Sequence, residues 1–151
     1  MQASAKKAPA WRKKMSVINE LIRTEADGTI SFGNYELAQK SKVSDYEHAG
    51  DLYKVKTFKE ITKLERNGMF VYESVPGTVV KHLNVTALGM EFEVEGNTDT
   101  QLTVELEDET EYQIHVNGKD SGTMNTKLGG KLSLSVELEN LAKATIKIEK
   151  V

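Results

Sequence analysis

The sequence contains no cysteine. Disulfide staples, thiolate catalysis and cysteine-ligated zinc are therefore excluded. Long apolar runs are missing too, and none approaches the roughly 20 residues that a membrane-spanning helix needs. Ala8–Trp11 is too short for a signal-peptide core, and the next apolar stretch, MSVINELI, is broken by Asn19 and Glu20. These absences predict a cytoplasmic protein without a transmembrane segment, or one exported by a route the sequence does not show. Histidine is sparse. His48, His82 and His115 stand far apart, with no HxH or HExxH spacing. There is no GxxxxGK[ST] and no strand-coupled GxGxxG. Glu95–Asp99 and Glu107–Glu109 do not fit the EF-hand ligand pattern and read as turns. No cofactor and no metal are expected.

What is present suits one ordinary domain or two small ones, in 151 residues. The net charge of −3 hides an asymmetry. Lys6, Lys7, Arg12, Lys13 and Lys14 stand among the first fourteen residues with no acid beside them, and the remainder is acidic. Such a split suggests an arm that meets an anionic surface: nucleic acid, membrane, or an acidic protein surface, its own body included. Trp11 among these cations suits the same contact. Met15 is a second potential start, so whether residues 1–14 are native stays open.

Trp11, Met15, Ile18 and Ile22 follow helical spacing, joined by Val17 and Leu21, and Asp27-Gly28 supplies a stop. The pattern predicts a short amphipathic helix, docked on its own domain or offered to a partner. From Gly28 the period becomes mostly two. GTISFGNYELAQKSKV predicts a strand, a Gly33-Asn34 turn and a second strand. DLYKVKTF sets Leu52, Val55 and Phe58 against lysines. ITKLERNGMFVYESV predicts two strands about Asn67-Gly68, with Phe70 and Tyr72 on one face. Val75-Pro76-Gly77 is the best candidate boundary.

Alternation is cleanest beyond it. Phe92 and Val94, then Leu102, Val104 and Leu106, then Tyr112, Ile114 and Val116 alternate with polar residues. Leu132, Leu134, Val136 and Leu138 do the same, as do Ile146 and Ile148. With VVKHLNV, these predict a small antiparallel sandwich with one face of each sheet buried. The fold class expected is mainly β: a basic flexible arm (1–14), a short helix with a small β region (15–77), and a β-sandwich (78–151). The two β parts form either one unit or two.

Candidate ligand residues are fewer. Asn117-Gly118 fits a type I′ hairpin turn, because both residues tolerate positive φ. The polar stretch around Asn117, Lys119 and Asp120 is either a hairpin with its connection or a ligand-contacting loop at a sandwich end. Met124 and Leu128 look like packing residues. Tyr35 and Tyr53 belong to an aromatic-rich region. They serve either the core or a ring-stacking carbohydrate face. His115 is expected on the outward face of its strand.

EYQIHVNGKDSGTMNTKLGGKLSLSVEL resembles the small all-β domains that accompany carbohydrate-active enzymes. Residues 15–80, MSVINELIRTEADGTISFGNYELAQKSKV through FVYESVPGTVV, resemble a family of short proteins of Gram-positive anaerobes labelled endosialidase. The resemblance covers most of the chain after Met15 and includes no catalytic motif. Hydrolytic sialidases resemble large propellers with an arginine cluster for the sugar carboxylate. A chain of this length with only Arg12, Arg23 and Arg66 supplies neither. Glu91, Glu93, Glu95, Glu105 and Glu107 alternate along strands, which predicts solvated acidic faces rather than the paired carboxylates of a glycosidase.

The leading expectation is a non-enzymatic structural or binding protein. Its arm and helix make intermolecular contacts, including assembly into a homo-oligomer, and its sandwich is a rigid body. A carbohydrate-binding module for a glycan, and an adaptor for nucleic acid or anionic membrane acting through the arm, are the alternatives. A hydrolase comes last.

Overall fold

The computed structural model describes residues 17–138 and 143–151; among these it contains strands and turns and no helix. The strands are β1 (Ile22–Thr24), β2 (Ile30–Phe32), β3 (Ser41–His48), β4 (Asp51–Phe58), β5 (Ile61–Arg66), β6 (Met69–Val75) and β7 (Val79–Thr86), followed by β8 (Gly89–Glu95), β9 (Thr100–Glu105), β10 (Glu111–Val116), β11 (Lys119–Asn125), β12 (Lys131–Val136) and β13 (Lys143–Lys150). Seven form sheet A, in the order β1-β2-β7-β8-β13-β10-β11. Six form sheet B, in the order β12-β9-β6-β5-β4-β3. Neighbours pair antiparallel throughout. No helix of the described residues is long and apolar enough to cross a membrane.

The two sheets bury one shared core, so an antiparallel sandwich is present, but strands from both sides of residue 77 build it rather than residues 78–151 alone. Phe92, Val94, Leu102, Val104, Tyr112, Ile114, Ile146 and Ile148 all face it, as their alternation predicts. Tyr72 of sheet B lies edge-on between two rings of sheet A, 5.5 Å from Phe32 and 5.7 Å from Phe92. Such edge-to-face pairs add about 0.5–1.5 kcal/mol each beyond their burial. The Val75–Gly77 turn lies between strands of different sheets. Strands from either side of it pair directly, β2 with β7 and β6 with β9.

Several expectations for the first half need correction. The predicted helix does not form where it is described, and its earlier residues lie outside the described ones. Ile18 N–H bonds the carbonyl of Gly33, and Gly33 N–H bonds that of Leu21. Leu21 has φ of 72°, which a right-handed helix forbids. These apolar residues are wanted on several sides: Leu21 and Ile22 enter the main core, while Val17 and Ile18 join Tyr35 and Val79 in a second cluster. Gly33-Asn34 is not a hairpin turn, because β2 and β3 belong to different sheets. Along β4 the core face holds Tyr53, Val55 and Thr57, while Leu52 is exposed. A bulge opposite Leu64–Glu65 separates Phe70 from Tyr72, so Tyr72 is buried and Phe70 lies under the Lys131 ammonium, 4.8 Å from the ring centre.

The polar member of the inward set of β4, Thr57, has a chemical cause. Thr57, Thr62, Ser74 and Thr78 are all fully buried and bonded to one another. Thr62 donates to the Thr78 carbonyl at 2.7 Å and accepts from Thr78 N–H at 3.1 Å. Its only proton is thus committed, so in the 2.8 Å contact with Thr57 it must accept. Thr57 in turn accepts from Asn34 N–H. Thr78 Oγ1 meets the Tyr72 hydroxyl at 2.8 Å and Ser74 Oγ at 2.7 Å. Burial pushes the Tyr72 phenol up to about 12. Glycine is required on both flanks of the network: a Cβ at Gly77 would overlap the Phe58 carbonyl, and one at Gly33 the Thr78 carbonyl.

Thr78→Val keeps the volume and removes the hydroxyl shared by Tyr72 and Ser74. It should cost about 2–4 kcal/mol, as expected for two buried hydroxyls losing a partner. Urea unfolding should show a lower midpoint at unchanged slope. A loss under about 0.5 kcal/mol would mean that the network contributes no more than an ordinary surface contact.

Candidate functional site

Thr57, Thr62, Ser74 and Thr78 close one end of the sandwich. At the other end three connections converge: the β5–β6 turn, the β7–β8 turn and the segment after β9. They enclose a groove of about 320 Å³. Its apolar lining includes Val71, Met90, Leu106 and Tyr112, and its charged lining is Arg66, Glu105 and Glu107. A second hollow of about 230 Å³ is lined by His48, Asp51, Tyr53, Leu83 and Asn84. Arg66 and Val85 line both hollows, so the two lie side by side at this end, here called the mouth.

Local chemistry fixes the rim. Asn67 and Gly68 take φ of 53° and 79°, the signature of a type I′ turn. The Asn67 amide then reaches across to the β3–β4 hairpin. Its Oδ1 accepts from Leu52 N–H and its Nδ2 donates to Asp51, both at 2.9 Å. On the opposite rim the Tyr112 hydroxyl accepts from Glu107 N–H at 3.1 Å. Glu107 binds Lys150 at 2.5 Å, and this hydrogen bond raises the Lys150 pKa. Glu105 faces Lys131 at 3.9 Å. Both carboxylates thus carry ammonium partners.

A hydroxyl–histidine–carboxylate cluster lies near the β1–β2 turn. His82 Nδ1 is 3.0 Å from Thr29 Oγ1 and 3.1 Å from Asp27 Oδ2. A nucleophilic relay requires the imidazole to bridge hydroxyl and carboxylate through different nitrogens. Here both partners meet the same nitrogen, and Thr29 gives its proton to Asp27 Oδ1 at 2.6 Å. The cluster is structural. It holds His82, whose φ is 56°, at the bulge of β7. Ser31 Oγ links the cluster to a second one: it accepts from His82 N–H and donates to Glu25 at 2.6 Å, and Glu25 also binds Arg23. Across the same edge Thr24 Oγ1 bonds the Tyr46 hydroxyl and His48 Nδ1, joining β1 to β3. Among the described residues no group of three or more histidines and acids is placed to hold a metal.

The sequence-predicted residues scatter. Tyr35 is buried in the second cluster, and Tyr53 is in the main core against His48, with only its margin on the mouth. Neither offers a ring face for stacking. Asn117 and Gly118 form the β10–β11 turn with φ of 54° and 79°. Asn117 Oδ1 accepts from Thr145 N–H, and Asp120 accepts from Gln113 and from Gly122 N–H. With Lys119 they build a hairpin at the far end of β10 from Tyr112. Met124 is partly exposed and Leu128 is 85% exposed, so Leu128 is not a packing residue. His115 is only half-exposed, and its Nδ1 is buried without a hydrogen bond. Lys6, Lys7, Trp11, Arg12, Lys13 and Lys14 lie outside the described residues.

Arg66, Asn67, Glu105 and Glu107 were not expected in a site. Three separate connections bring them together, and no local motif marks them. Comparison with protein-family models, curated proteins and solved structures finds no match.

Two carboxylates near the β1–β2 turn titrate low. The Thr29 hydroxyl, then its N–H, lower Asp27; the Ser31 hydroxyl, then Arg23, lower Glu25. A carboxylate depressed by folding stabilises the fold above its unfolded pKa, and that contribution is lost as pH falls through the folded value. Thr29→Val should therefore move the Asp27 carboxyl transition, read by carbon NMR, up toward the ordinary aspartate range while leaving Glu25 low. An unmoved Asp27 titration would show that the hydroxyl does not set it.

Proposed function

We propose that this chain is a non-enzymatic binding protein whose rigid sandwich takes an extended polar ligand, a saccharide by its chemistry, along the mouth between the sheets. The adjacency of the two hollows, which share Arg66 and Val85 as lining, supports this reading. A sugar ring has a hydroxylated edge and an apolar face. The mouth supplies a guanidinium, carboxylates and an amide beside apolar side chains, the mixture that orients such a ligand. The rim is held by hydrogen bonds already made in the absence of ligand, so little ordering entropy opposes binding.

The carboxylates support binding over hydrolysis. A glycosidase sets one acid on each side of the scissile bond and keeps one protonated. Glu105 and Glu107 come from one strand end, and each lies beside a lysine.

Neutral and acidic oligosaccharides titrated into the labelled protein should shift amides at 66–70 and 85–90. Arg66→Ala should weaken the best binder about tenfold, the loss typical of one charge-assisted contact. Shifts confined to the 117–122 turn, or none with any oligosaccharide, would reject this reading.

A further inference from the structure

The outward faces of the two sheets treat charge differently. On sheet A each lysine opposite a charged residue meets a glutamate: Lys81–Glu93, Lys143–Glu95 and Lys147–Glu91. On sheet B, Lys54–Glu65, Lys63–Glu73 and Lys131–Glu105 follow the same rule. The exceptions are two pairs that share one residue. Lys56 lies directly opposite Lys42 on one side and Lys63 on the other. Like charges directly opposite in a sheet destabilise it, so folding alone does not account for this row.

The row is also under-neutralised. Among the described residues Lys42, Lys54 and Lys56 make no ion pair, and Lys63 has only Glu65, at 3.6 Å. Lys42, Lys54, Lys56 and Lys63, with Glu65, line a hollow of about 70 Å³. The sheet holds the bases of these side chains at fixed spacing, about 4.8 Å per strand, so the row spans roughly 10 Å. Glu73 ends it at β6. That extent suits one or two tetrahedral oxyanion groups. It is too short to follow a polymer backbone through successive phosphates.

We propose that the outer face of β3–β5 is a binding site for a multiply charged tetrahedral oxyanion, a phosphate or sulfate group of a small ligand, held by Lys42, Lys54, Lys56 and Lys63. The site is separate from the mouth and does not depend on the saccharide reading. Lys56 is its centre, because the anion relieves two repulsions there at once.

Thermal unfolding and lysine side-chain NMR of the full chain test this with pyrophosphate, inorganic phosphate and sulfate, each against chloride at matched ionic strength. Pyrophosphate should raise the wild-type Tm and shift the Lys42, Lys54, Lys56 and Lys63 signals. Lys56→Gln should raise the Tm without anion, because the repulsion is gone, and weaken pyrophosphate about tenfold. Lys42→Gln should do both to a smaller degree. Lys147→Gln, on the charge-paired sheet, should bind like wild type. A stronger response to phosphate than to sulfate assigns a phosphorylated ligand, and the reverse a sulfated one; either supports the site. The site is rejected if pyrophosphate acts no more strongly than chloride, or if Lys56→Gln responds as wild type does. It is also rejected if a single-stranded oligonucleotide binds with shifts running past β5 onto β6 and β9.

Discussion

The packing of Thr78 against Thr62, Tyr72 and Ser74 is the constraint on which the rest of the sandwich depends. The chain passes from sheet B to sheet A between β6 and β7, and Thr78 stands at that crossing. Its backbone is gripped by Thr62 and its hydroxyl by two residues of β6. Thr100 Oγ1 adds a bond to the Pro76 carbonyl from β9. The hydrogen bonds fix the sheet separation at this end by direction as well as by contact, which hydrocarbon packing alone cannot do. Gly33 and Gly77 let the backbones approach closely enough for it. With this end sealed, the mouth lies at the opposite end.

The edges near β1 and β3 follow from the same economy of polar groups. Thr24 joins Tyr46 and His48 by side-chain bonds where no backbone ladder connects the sheets. Outside, Lys81 also bonds Glu95 diagonally at 3.4 Å, so sheet A neutralises its own acidic face. Sheet B does so over β6, β9 and β12 and only in part over β3–β5, where Lys42 and Lys56 make no ion pair among the described residues. The acidic balance of the whole chain therefore says little about the sign of any one face.

Legibility in the sequence followed the chemistry of the buried face. From β8 onward the inward positions are mostly hydrocarbon, Thr100 being an exception, and Phe92–Val94 or Ile146–Ile148 announce their side by period alone. In β4, β5 and β6 the inward set includes Thr57, Thr62 and Ser74, which a polarity pattern assigns to water. The network that seals the sandwich thus concealed the register of the strands that build it. The segment at Val17–Ile22 failed differently. Its apolar spacing matches a helix face, yet two clusters claim its side chains, and a spacing rule assumes one. The mouth was illegible because its residues come from connections that only tertiary structure brings together. The lysine row was half visible: the alternation KVK in β4 is plain, but like-charge opposition exists only once register is known.

The place of β13 carries a consequence for how the protein is made. It lies between β8 and β10, in the interior of sheet A, although it follows every other strand in the chain. β3 to β6 form a run of successive hairpins that can pair as they leave the ribosome. β8 and β10 cannot find their shared neighbour until residue 150 has been delivered. At roughly 5–20 residues per second of synthesis, both strands wait for seconds with unpaired edges. Any pause in translation before β13 lengthens that exposure.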